Sequence, residues 1–131
     1  MPDQIASASI DSIAKLGIIS ARARCLITLS QGVASGALEL RPGLNPEKTI
    51  DRLVELPGIG PWTAHYIAMR ALHWPDAFPR DDIAVRNNLG KISWKQIEAI
   101  SESWRPRRSY AVLHIWKNPQ TIEIEHVSFE V

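Results

Sequence analysis

The stretch LVELPGIGPWTAHYIAMRAL, residues 53–72, decides how the rest of the chain is read. Ile50, Leu53 and Val54 fall at i, i+3 and i+4, so one apolar stripe runs along the helix that leads into it. That helix is expected to stop at Pro57, and a second begins at Pro61, where a missing N–H costs nothing. Between them Pro57-Gly58-Ile59-Gly60 leaves room only for a tight turn. Gly58 and Gly60 allow backbone angles that other residues resist, and they keep side chains out of the turn. Gly58, Ile59, Gly60, Pro61, Trp62 and Thr63 then form a turn and helix start whose backbone N–H groups can approach a phosphate. Such a contact holds a nucleic-acid backbone without reading its sequence. Pro-Gly turns also join ordinary helical hairpins, so the turn alone leaves both readings open.

Outward from the hairpin, helix punctuation continues in both directions. Ser9 precedes a short helix over 10–16 ending at Gly17, and Ser20 is expected to cap a helix over 21–35 ending at Gly36. Asn45-Pro46-Glu47 is a helix start, with Asn45 as cap and Pro46 in the first position. After the irregular 73–80 segment, Asp81 or Asp82 caps a short helix to about Leu89. Ser93 to Gln96 fits a capping box for a helix through Ser103, and a last helix ends near Lys117. The tail from Thr121 alternates Ile122, Ile124, then Val127, Phe129 and Val131, which hints at an extended segment. The expected fold class is all-α, with about six helices and short loops.

Bulk properties narrow the function classes. The chain's 131 residues fit one domain, and 45% hydrophobic with 22% charged residues is ordinary for a globular protein. A net charge of +1 says nothing about nucleic acid, so any basic surface must come from arrangement. One cysteine, Cys25, excludes a disulfide framework and a four-cysteine metal site. No apolar run is long enough to span a bilayer, and no signal segment opens the chain, so it reads as intracellular and without a membrane role.

Three segments together, LVELPGIGPWTAHYIAMRAL (53–72), FPRDDIAV (78–85) and WRPRRSYAVLHIW (104–116), resemble the bacterial 3-methyladenine DNA glycosylase II family. That family belongs to the helix-hairpin-helix superfamily, in which a Gly/Pro-rich loop and an essential aspartate follow the hairpin. The resemblance covers about residues 3–118, in the family's order and spacing. It implies a helix-hairpin-helix DNA glycosylase fold, N-terminally truncated, with residues 1–118 as a partial catalytic domain and 119–131 as a C-terminal tail. Full-length members carry more chain before the point matched by Met1, so apolar faces left bare there invite a homodimer or a complementary N-terminal chain.

The implied activity is base-excision repair by a monofunctional N-glycosylase acting on alkylated bases flipped out of double-stranded DNA, in the cytoplasm at the bacterial nucleoid. Asp82 takes the place of the essential aspartate, stabilising the oxocarbenium-like sugar or activating water. It could equally be only a helix cap. Trp62, Tyr66 and Trp116 fall at base-pocket positions, where electron-rich rings attract a cationic alkylated base. Trp62 and Tyr66, at i and i+4, share a helix face whatever the family, and aromatic rings at such spacing also serve cores. Superfamily members that also cut the strand carry a lysine where this chain has Trp62. Arg80, Arg86 and Arg105 are candidate phosphate contacts, or else a solvated basic face. The resemblance implies no required cofactor, but a sodium or potassium ion on the main-chain carbonyls of Val54, Leu56 and Ile59. Against the glycosylase stand a non-catalytic hairpin module that binds DNA and an inactive glycosylase fragment.

Overall fold

A computed structural model describes residues 2–118, and the tail read above as extended lies outside these described residues. Among the described residues the structure is helical throughout, with no strand. Eight helices follow in order: α1 (Pro2–Ala6), α2 (Ile10–Ala14), α3 (Ser20–Ala34), α4 (Pro46–Val54), α5 (Pro61–Arg70), α6 (Ile83–Asn88), α7 (Trp94–Glu102) and α8 (Arg108–Lys117). None is long and apolar enough to cross a membrane.

Most helix starts form as their residues dictate. Asn45 accepts from the N–H groups of Glu47 and Lys48, and Pro46 occupies the first turn. Ser93 and Gln96 close a reciprocal capping box. Ser9 caps α2 through the N–H of Ser12. Ser20 departs from expectation: it is the first residue of α3, Ile19 holds the cap position, and no side chain accepts there. Helix α1 was not foreseen; it packs along α3 and gives that helix part of its cover.

Two apolar clusters meet on α5. One gathers Leu38, Leu53, Ile59 and Ala64 between α3, α4 and the hairpin. The other gathers Ala68, Met69, Leu72, Phe78, Val85, Leu89, Ile97, Val112 and Ile115 among α5 to α8. Ala64 and Ala68, one turn apart and both with no exposed surface, let neighbouring backbones close on α5 from both sides. The turn before α5 is tight for a stated reason. Gly58 has φ +87°, and a Cβ there would lie 3.4 Å from the Cβ of Cys25. A side chain would thus meet backbone strain, while its Cβ would make only ordinary contact with Cys25. The N–H of Ile59 bonds the carbonyl of Leu56 at 3.1 Å and closes the turn.

Candidate active site

The local chain around Asp82 explains how it is presented. Asp81 sits in the left-handed region at φ +60°, which an aspartate tolerates better than most residues. Asp82 then returns to extended geometry and caps α6, its Oδ2 accepting from the N–H of Val85 at 2.8 Å. Of the two aspartates that the sequence left open as caps, Asp82 is the one.

Capping uses only part of the carboxylate. The indole Nε1 of Trp62, from the first turn of α5, donates to Oδ1 at 2.7 Å. The indole Nε1 of Trp116, from the last turn of α8, donates to Oδ2 at 3.0 Å. Three elements that lie far apart in the chain therefore meet on one largely buried carboxylate. Hydrogen bonds to an ionised acceptor are about twice as strong as neutral ones, so this junction is held firmly.

The aromatic rings pack around the same point. Trp62 lies flat on Tyr66, with centroids 5.2 Å apart and planes 8° from parallel. Trp116 is tilted against both, at 6.5 Å from Trp62 and 6.1 Å from Tyr66. The guanidinium of Arg70, one turn beyond Tyr66, stands 5.6 Å from the Tyr66 centroid. Tyr66 is thus enclosed between neighbours one turn before and one turn after it on α5. The rings are too close together to admit a base between them. Trp62, 38% exposed, is the one that faces outward.

That outward face borders an open concavity of about 520 Å³, lined by Gly60, Pro61, Trp62 and residues 80–84. Asp82 lies in its wall and Ile83, 69% exposed, forms part of the lip. The other side is the start of α5, where Gly60 holds the cap position and no side chain satisfies the helix N–H groups. Gly60, Pro61 and Trp62 therefore open on the same space as Asp82, whereas Gly58 and Thr63 border a separate groove and Ile59 is buried.

The candidate arginines separate. Arg80 lines the concavity, is well exposed, and makes only a 3.7 Å contact with Glu98. Arg86 turns away: its Nε bonds the carbonyl of Ile92 and its guanidinium lies over Trp94. Arg105 pairs with Asp76 and Glu102, beside Arg108 at the start of α8. With a 1.5 Å rise per residue, that end of α8 is about 12 Å along the axis from Trp116, so the structure does not bring Arg105 to Asp82.

Sequence reasoning passed over two residues that shape this region. Asp76, nearly buried, receives Arg105 and Arg108 and ties the 71–82 segment to α8. His65 accepts the N–H of Phe78 on its Nδ1 at 3.2 Å and ties the same segment to α5. Burial, then the charges of Arg108 and Arg80, push the His65 pKa down from the usual 6.5 to about 4. Neither partner could be read from spacing, because each lies 13 or more residues away.

Comparison with known proteins shows what the chain is similar to. No family model matches the chain. It is 36% identical over 115 residues to DNA-3-methyladenine glycosylase 2 of Escherichia coli, an alignment covering 88% of this chain and 41% of that protein. It is 39% identical over 105 residues to a "Probable bifunctional transcriptional activator/DNA repair enzyme AlkA" of Mycobacterium tuberculosis, covering 77% of this chain and 21% of the relative. It is 32% identical over 124 residues to DNA-3-methyladenine glycosylase of Bacillus subtilis, covering 88% of this chain and 41% of that protein. The resemblance carried by the three sequence segments is thus shown, and the chain spans about two fifths of the E. coli and B. subtilis relatives.

Proposed function

We propose, from this kinship with the DNA-3-methyladenine glycosylases, that the chain removes alkylated bases from double-stranded DNA by hydrolysing the N-glycosidic bond. The observation that carries the reading is the Asp82 carboxylate, fixed by two indoles and a helix start in the wall of a concavity that the hairpin shares. The uncapped N–H groups of α5 hold a phosphate, and Arg80 at the rim holds another. The flipped nucleotide enters beside Trp62, whose exposed ring face attracts a cationic base.

Bond breaking then sends the glycosidic electron pair to the base, which leaves, and C1′ gains positive character. Asp82 sits ready to oppose that charge. Its Oδ1 accepts one donor and its Oδ2 two, which fixes the orientation of the carboxylate. Water adds to C1′, loses a proton to solvent, and leaves an abasic sugar. The concavity has an indole at position 62 and no lysine among its lining residues, so no amine there competes with water.

The same reading assigns a sodium or potassium ion to the carbonyls of Val54, Leu56 and Ile59. The residues fit it: Val54 ends α4, where carbonyls lack helical partners, and the Leu56 oxygen keeps a second lone pair beside its bond from Ile59. Its contribution would be to screen phosphate repulsion. A second copy of the chain is proposed as the partner of its exposed apolar helix faces.

The test is release of methylated purines from alkylated duplex DNA by the purified chain, followed by chromatography of free base. Asp82→Asn is expected to lower release by at least about a hundredfold, in the range lost when a preorganised electrostatic group is removed. Equal release by both proteins would overturn the assignment of Asp82, and none by either would overturn the activity of the chain.

A further inference from the structure

We propose that His65 is a positioning residue that sets Asp82 against Trp62. This rests on the glycosylase reading only for its kinetic consequence; the geometry stands apart from it. The 71–82 segment that delivers Asp82 is tied to α8 several times over. The one hydroxyl proton of Ser109 is shared between the carbonyls of Trp74 and Ala77, its N–H bonds Pro75, and Arg108, with Arg105 just before the helix, holds Asp76. Trp116 rides on that same helix. Its bond to Asp82 is therefore secured by ties within one unit.

Trp62 rides on α5 instead. Toward that helix the segment is tied by the N–H of Trp74 on the Ala68 carbonyl at its start and by the N–H of Phe78 on His65 Nδ1, four residues before Asp82. Phe78 is buried, and the side chains on either side of it, Ala77 and Pro79, are buried too. A buried N–H needs an acceptor, and His65 supplies it. His65 also stacks on Trp74 at 6.2 Å, so its ring meets the loop at two points, Trp74 and Phe78. The imidazole can do this only with a bare Nδ1, which fixes its tautomer with the proton on Nε2.

The test replaces His65 by Leu, Asn and Gln in the full chain and follows the two indole N–H resonances by nitrogen-15 correlation, assigned with Trp62→Phe and Trp116→Phe. Asparagine places an amide oxygen where Nδ1 stood, so both resonances should stay. Leucine removes the acceptor, so the Trp62 resonance should move toward that of a free indole while Trp116 stays. Glutamine sets its oxygen one bond too far and should resemble leucine, which keeps the test decisive should the leucine variant not fold. In base release, the leucine and glutamine variants should lose about tenfold to a hundredfold in kcat, the scale of a small misplacement, with KM little changed. An unmoved Trp62 resonance in both variants, equal movement of both indoles, or an asparagine variant that behaves like glutamine would overturn the proposal. The resonances report on His65 even if the wild-type chain releases no base.

Discussion

At the scale of single residues, Asp82 illustrates how one side chain can serve fold and chemistry together. As a cap it satisfies a helix N–H, and as an acceptor for Trp62 and Trp116 it joins α5 and α8 to the start of α6. The indoles are therefore more than ring surfaces. Replacing either by phenylalanine keeps an aromatic face and removes the N–H together with part of the ring. Each such variant should lose about 1.5–3 kcal/mol of stability, as for a hydrogen bond to a charged group. If the bond also orients the carboxylate against developing charge, base release should fall by about tenfold, equivalent to roughly 1.4 kcal/mol of barrier. Urea unfolding and single-turnover release measure the two effects separately. A Trp116→Phe protein with wild-type values in both would show that its N–H is incidental.

At the scale of elements, what was legible depended on whether the cause was local. The hairpin, the Asn45-Pro46 start and the Ser93–Gln96 box each depend on residues within four positions, and all formed where expected. Ser20 failed as a cap because Ile19 already had extended geometry and the helix began one residue earlier. Helix α1 offers no strong cap or stripe and owes its place to contact with α3. The convergence of α5, α6 and α8 on Asp82 was reached through family resemblance, whereas the anchors Asp76 and His65 had no local sign at all. The Phe78 N–H that His65 accepts becomes its neighbour only after the chain has turned through residues 71–77.

That anchor has a measurable signature in pH. The folded state keeps His65 neutral down to about pH 4, while an unfolded chain protonates it near 6.5. Between these values the unfolded state binds the extra proton, so stability should be full above about pH 6.5 and fall as pH drops toward 4. The charges that face the ring and oppose its protonation are Arg108 from α8 and Arg80 from the loop. Because the ring is only partly buried, screening reduces the loss to about 1–2 kcal/mol. Urea midpoints of wild type and His65→Asn, compared at about pH 7 and about pH 4.5, isolate this contribution. The wild type should lose more than the variant. Parallel losses would mean that other groups carry the whole dependence.

At the scale of the whole molecule, the distribution of apolar surface is uneven. The hairpin side and the α5–α8 side enclose well-buried clusters, whereas α1 and α2 bury no residue completely. Leu16 is 79% exposed and Ile19 63%, and Leu26 on α3 stands beside them. Ile19 and Leu26, with Ile18, Ala21 and Cys25, border a groove of about 540 Å³ that reaches Gly58 of the hairpin, and Leu16 precedes its Gly17 edge in the chain. Single exposed apolar residues are common, but several gathered on one groove mark a surface that gains by being covered. Covering one such side chain fully contributes about 1.5–3 kcal/mol, and a two-fold axis through the groove would cover each twice. Helix α1 already recovers part of the cover of α3, so the remaining gain lies at the α2–α3 corner. Sedimentation at micromolar concentration should therefore show a species larger than a monomer, and Leu16→Asp with Ile19→Asp should return it to a monomer without unfolding it. Since both residues lie outside the buried clusters, far-ultraviolet dichroism should not change. A wild-type chain that sediments as a monomer throughout would show that a second copy does not cover this corner.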